Sequence, residues 1–175
     1  MGEDSMSRKA TLGVLFLAVP GFQAAAADIG YAEGTEVIAG DKVEIYSEDK
    51  AAGRMLSVGS NKSRVVKETT GNGLFQNLNK SCSPVVWDLI RGTGTGQGYC
   101  KATRGADSYS LEFNGYCATL VGGNGKPATK CSGAWKMIPG AGTGKFAGVD
   151  GVGQWWGGFN EAGDFEEQWN VHYQK

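Results

Sequence analysis

Near its C-terminus the chain alternates strictly between apolar and polar positions. In "DFEEQWNVHYQ", Phe165, Trp169, Val171 and Tyr173 share one parity, and Asp164, Glu166, Gln168, Asn170 and His172 share the other. Period-two alternation of this length predicts a half-buried strand. "SYSLEFN" behaves the same way, with Tyr109, Leu111 and Phe113 on one face. "TEVIAGDKVEIYS" puts Val37, Val43 and Ile45 on one parity, interrupted at Gly40 and Asp41. "PVVWDLI", residues 84–90, is apolar on both faces apart from Asp88. "GQGYCKAT", "ATKCSGAWKMI" and "DGVGQWWG" read as further strands, "SRVVKE" as a weaker one and "TTGNGLFQN" as a long turn. After Asp28 helical periodicity is hard to find. "EDKAAGRML" has room for a helical turn or two, with Gly53 against it. Seven or eight short strands at about 8–12-residue spacing predict one closed or nearly closed antiparallel β-barrel of about eight strands. No Pro/Ser-rich linker divides it, so residues 28–175 are expected to form a single domain.

The N-terminal pattern is different. Arg8 and Lys9 precede the apolar run "ATLGVLFLAV", and Pro20, Gly21 and the string "QAAAA" follow it. A basic start, a short apolar stretch and small residues at Ala25 and Ala27 predict a secretory signal peptide over residues 1–27, cut after Ala27. The run falls short of the roughly 20 residues that span a bilayer. The expected product is exported, periplasmic or secreted, with no membrane segment in its mature form. A formal net charge of −1 without any block of like charge leaves no footprint for nucleic acid.

Four cysteines, Cys82, Cys100, Cys117 and Cys131, all follow the leader. An even count behind a signal peptide predicts two disulfides. Cys117 and Cys131 lie symmetrically about Asn124, so a hairpin turning at "GGNGK" sets them opposite each other; Cys82 and Cys100 then pair by elimination. With no CxxC pair and a single histidine, His172, neither a zinc site nor a cofactor is expected.

Glycine is the strongest bias in the composition: 29 residues of 175, against an average usage of about 7 %. The richest stretch, "GTGKFAGVDGVGQWW", fails as a phosphate loop. Gly144-Lys145 is followed by Phe146 where a Walker A motif needs a hydroxyl, and Gly142, Gly144 and Gly148 miss the dinucleotide spacing with no helix after them. As shape it makes sense. "IPGAGTGKFAG" is a glycine-supported turn between strands, and Gly151 and Gly153 leave one strand face bare for large aromatics from neighbouring strands.

The segment "GTGKFAGVDGVG" resembles the glycine-rich motif of the allene oxide cyclase barrel-like and dirigent-related families. "GYCKATRGADSYSLEF" is similar to a segment of small exported bacterial proteins thought to share that barrel. The resemblance spans roughly residues 96–173. It implies an eight-stranded antiparallel barrel, often a homo-oligomer, with an apolar cavity. No catalytic residue of those families matches a position in this chain.

Small barrels fill their interior with side chains or hold one small ligand. Tryptophans at 87, 135, 155, 156 and 169, with Tyr109, Phe113, Phe165 and Tyr173, supply either a core or an aromatic-lined pocket. Glu167 is the informative polar residue, because it shares parity with Phe165, Trp169, Val171 and Tyr173. Pointing inward, it has a raised pKa unless paired, and suits the role of acid, base or orienting acceptor. A β-bulge at Glu166-Glu167 returns it to solvent instead, and a buried Lys or Arg makes it structural. Asp88 raises the same question, whereas His172 lies on the polar parity and is expected to be exposed. The expected ligand-binding set is Glu167, Trp169, Tyr109 and Trp87. The first expectation is a binder of a small, largely apolar molecule. A cyclase- or isomerase-type enzyme is the second and a protein-interaction module, marked by an exposed Trp155–Trp156 patch, the third.

Overall fold

The structure, a computed structural model, describes residues 28–49, 51–121, 127–160 and 164–175, without the side chains of residues 40–43, 45–48, 64–65 and 127. The predicted leader and the "GGNGK" turn lie outside the described residues. Eight strands follow one another in chain order: β1 (Ile29–Asp49), β2 (Arg54–Thr70), β3 (Asn79–Ile90), β4 (Thr93–Arg104), β5 (Asp107–Val121), β6 (Pro127–Met137), β7 (Asp150–Phe159) and β8 (Phe165–Gln174). Each pairs antiparallel with the next, and β8 pairs with β1, which closes the barrel. Among the described residues the only helix is one 3₁₀ turn, Gly144–Phe146. None is long and apolar enough to cross a membrane.

Two local expectations are corrected. Where a helical turn or two had room, Glu48 and Asp49 end β1, residues 51–53 form a turn and Arg54–Leu56 open β2, and Gly53 takes the positive φ of +67° that the turn demands. In β1 the inward parity carries Ala32, Gly34 and Glu36 rather than Val37. A register shift between Val37 and Ile38 then breaks the simple alternation. The side chains of Val43 and Ile45 fall outside the described residues.

The inner wall answers the question posed by the glycines. Large inward aromatics sit opposite glycine on the neighbouring strand: Trp87 faces Gly96, Phe113 faces Gly98, Trp135 faces Gly153 and Trp155 faces Gly133. A Cβ added at Gly153 would lie 2.6 Å from the Trp135 ring, and one at Gly96 only 2.2 Å from the Trp87 ring. The missing side chains are the space the rings occupy, so aromatic bulk and glycine deficit compensate pair by pair.

Both disulfides form, and both join neighbouring strands at paired positions: Cys82–Cys100 across β3 and β4, Cys117–Cys131 across β5 and β6. They belong in an oxidising compartment outside the cytosol. Cys117→Ser is expected to cost about 2–4 kcal/mol, chiefly by freeing a short loop in the unfolded chain. Urea denaturation measures it; a loss near zero would mean that the ladder alone fixes this hairpin.

One end of the barrel is plugged. The 71–78 turn after β2 folds inward and seats Phe75 and Leu78, 1% and 2% exposed. The Glu68 carboxylate holds that turn, accepting the Gly73 and Phe75 N–H groups at 2.6 and 2.7 Å. Beside it the 138–149 segment buries Phe146 completely. Asp107 accepts the Lys145 N–H at 2.9 Å, and Arg104 bridges the two turns by donating to the Gln76 carbonyl at 2.6 Å and to Asp107 at 3.1 Å.

Candidate functional site

Between this plug and the opposite rim lies a cavity of about 370 Å³. Its floor is Tyr109 and Trp169, which pack on Phe75 with ring centroids 5.8 Å away in each case. Above the floor the wall is mostly apolar, with Leu111, Phe113, Trp135, Trp155 and both disulfides contributing. Near the rim Met55, Leu89 and Phe159 line it. Each strand supplies inward side chains at every second position, so one parity per strand builds the whole lining.

The predicted ligand-binding residues come together here. Glu167, Trp169, Tyr109 and Trp87 all line this one cavity. Glu167 points inward on β8 as the alternation requires, 9% exposed, and no bulge returns it to solvent. His172 is on the outer face and exposed. Asp88 is corrected: its side chain is 41% exposed on the outer wall, where Arg54 grips it at 2.7 and 3.0 Å. Trp155 and Trp156 part company, the first 5% exposed in the lining and the second 40% exposed outside, so no shared surface patch exists.

Two members of the site went unread in the sequence. Glu36 of β1 pairs in register with Glu167 of β8, which puts two carboxyls side by side on the inner wall. Lys80, near the start of β3, reaches them along the inner wall from beyond β2. Its ammonium donates to Glu36 Oε1 and stands 3.6 Å from Glu167 Oε1. Ser63 donates to the other oxygen of Glu36, and the two carboxyls hydrogen-bond each other. The Glu36 side chain is only 1% exposed, whereas Lys80 and Glu167 keep 12% and 10%. Glu36 is therefore the buried counter-ion, and the other two present what polar surface the cluster shows the cavity.

Electrostatics separates the two carboxyls. Burial pushes Glu36 up, but the Lys80 charge and the hydrogen bonds from Glu167, Lys80 and Ser63 outweigh it, leaving Glu36 below the ordinary carboxylate value. Burial also pushes Glu167 up; Lys80 opposes that, the Glu36 charge and hydrogen bond reinforce it, and the result lies well above the ordinary value. Burial works against the Lys80 ammonium, but the flanking carboxyls overcome it and hold its pKa raised. Of the two carboxyls, Glu36 gives up its proton the more readily and Glu167 holds its own longer, with the Lys80 ammonium beside both. Two like carboxyls at one site cannot both ionise cheaply. Tyr109 behind them stays neutral, its phenol raised by burial despite Lys80 nearby.

Chemically, the arrangement offers hydrogen-bond donors, a weak acid and an apolar shell. Among the described residues there is no group of three or more His, Cys, Asp or Glu side chains that could hold a metal ion. Compared with known proteins, the chain matches no family model, and no curated protein is similar enough to count as a relative.

Proposed function

We propose that this is an exported barrel that binds a small, largely apolar molecule in its lumen. The observation that carries the reading is the cavity itself: about 370 Å³, apolar and aromatic on most sides, with one small polar cluster on its wall. Ligand sites share that composition and run from roughly 300 to 1,000 Å³. Export is supported by the leader-like N-terminus and by two disulfides. The resemblance to allene oxide cyclase-like barrels points the same way.

Native mass spectrometry of protein taken from its exported fraction tests this, together with uptake of the neutral fluorescent probe N-phenyl-1-naphthylamine. A discrete co-purified apolar molecule, or probe binding in the micromolar range, is expected. A clean apo mass with no probe uptake would sink the reading.

A second reading rests on the inward Glu167, a carboxyl on the cavity wall that burial and the Glu36 charge hold well above the ordinary value. A cyclase or isomerase shaping an apolar substrate would use that carboxyl as general acid. Glu167→Gln keeps the shape and loses the transferable proton, so turnover falls by roughly 10²–10⁴-fold while binding persists. Turnover unchanged in that variant removes the enzymatic role of Glu167. The interaction reading has less behind it, since Trp155 is inside. A homo-oligomer, as the resemblance implies, would bury the outer-wall pair Tyr116 and Trp156, which flank Ser132 on neighbouring strands.

A further inference from the structure

The polar cluster narrows the class of ligand, an inference that rests on the pocket reading above. We propose that the cavity selects an uncharged, mostly apolar molecule carrying an acceptor oxygen, such as a ketone, ester or ether, which docks on the Lys80 ammonium beside Glu167. Three observations lead there.

The first is position. Lys80 and Glu167 are the members of the cluster with surface left to offer, and they lie on the wall of the cavity rather than beneath it. The Lys80 ammonium, among the described residues, donates one hydrogen bond, to Glu36, and at 3.6 Å falls short of a second with Glu167. It has donors to spare.

The second is the mixture of signs. An anionic head approaching Lys80 meets Glu36 and Glu167 on the same wall. A cationic head approaching Glu167 meets Lys80. In a low-dielectric lumen a like charge a few ångströms away is costly in either case. A neutral oxygen adds no charge and accepts from the ammonium.

The third is the charge already present. Glu36 and Lys80 neutralise each other in hydrogen-bonding contact, and Glu167 keeps its proton more readily than an ordinary carboxyl, so the cluster has little charge for a ligand to answer. A charged ligand would leave an unpaired buried charge, which closed apolar sites do not tolerate.

The prediction includes a pH dependence. Among the described residues three titratable groups face Glu167: Glu36 from β1, Lys80 from β3 and Tyr109 from β5, while β7 presents Gly157 opposite it. As pH rises through the raised value of Glu167, its carboxyl becomes an anion 3.6 Å from Lys80, draws the ammonium's spare N–H towards itself and competes with the ligand oxygen for it. Affinity for a neutral acceptor therefore falls towards alkaline pH.

The test is displacement of N-phenyl-1-naphthylamine by undecan-2-one, decanoate and decylamine, which share chain length and differ in the head. At pH 7 the ketone is expected to displace the probe at concentrations about tenfold lower than either charged chain. Equal or better displacement by decanoate or decylamine overturns the proposal and leaves the pocket reading standing, as does a probe that binds but yields to none of the three. If the probe itself is not taken up, the pocket reading falls and the ligand class with it. Glu167→Gln, isosteric with the protonated acid, is expected to keep the ketone preference and flatten its pH profile. A folded Glu167→Gln protein whose affinity for the ketone still declines with pH as in the parent overturns the role given to this carboxyl.

Discussion

Lys80→Met destabilises the protein by roughly 3–5 kcal/mol at neutral pH, the cost of stripping the partner from a buried charge. Glu36 is 1% exposed at its side chain, and without the ammonium only Ser63 and Glu167, among the described residues, remain to satisfy it. The loss depends on pH. In the parent, the lowered pKa of Glu36 contributes stability above the ordinary carboxylate value, and that contribution disappears as pH falls through the lowered value. The raised pKa of Lys80 contributes stability that is complete below the ordinary lysine value and lost only at strongly alkaline pH. Glu167, raised, acts in the other direction: stability declines as pH climbs from the ordinary carboxylate value to its raised one. With Lys80 gone both carboxyls titrate high, so the variant recovers as pH drops and the gap to the parent narrows. Urea denaturation at pH 7 and pH 4.5 measures both effects. Adding Glu36→Gln to the variant should return a large part of the lost stability. A pH-independent loss below about 1 kcal/mol would show that the pair is not buried as described.

Phe75→Ala has a similar expected cost, about 3–5 kcal/mol, for a different reason. Phe75 is 1% exposed and makes ring contacts with Tyr109, Phe146, Trp169 and Tyr173 at centroid distances of 5.5–5.8 Å. Truncation removes the centre of that cluster, and three of the surrounding rings, Tyr109, Trp169 and Tyr173, are fixed on strands that cannot collapse into the gap. Two of them, Tyr109 and Trp169, are also the floor of the cavity. The same variant is therefore expected to release N-phenyl-1-naphthylamine faster, with the equilibrium loss visible in chemical denaturation and the release in stopped-flow fluorescence. Stability reduced with release unchanged would separate the plug from the cavity.

How far the sequence could be read depended on how one-sided each strand is. β5 and β8 were legible because Tyr109, Leu111 and Phe113, or Trp169, Val171 and Tyr173, leave no doubt about the buried face. The same parity placed Glu167 inside. Both hairpin disulfides followed from spacing and count. β1 misled because its buried positions are Ala32, Gly34 and Glu36, small or charged, while Val37 sits on the other parity. Strand patterning recognises apolar bulk, and a barrel wall that leaves room for a neighbour's Trp169 over Gly34 has none there. Lys80 was hidden for another reason. The register shift between Cys82 and Val85 moves the inward parity from Lys80 and Cys82 to Val85, Trp87 and Leu89, so no single alternation runs through β3. A signal did exist: an inward Cys82, required by its bridge to Cys100, carries Lys80 inward two residues earlier.

The two covalent links have one more property in common, which is where they are not. Each joins partners within a hairpin, at sequence separations of 18 and 14, and neither reaches the seam where β1 meets β8. Across that seam Asp28 and Lys175 exchange backbone hydrogen bonds at 3.2 Å. Oxidation of the cysteines can thus be complete while the sheet is still an open ribbon. Closure must wait for the last strand to be delivered, and it depends on the longest-range contacts in the chain, the slowest kind to form. The Glu36–Lys80–Glu167 cluster straddles this join, with a member on each of its edges. Assembly of the charged group and cylindrical closure of the sheet are then a single event, and a chain cut short before Glu167 would keep its crosslinks but never become a vessel.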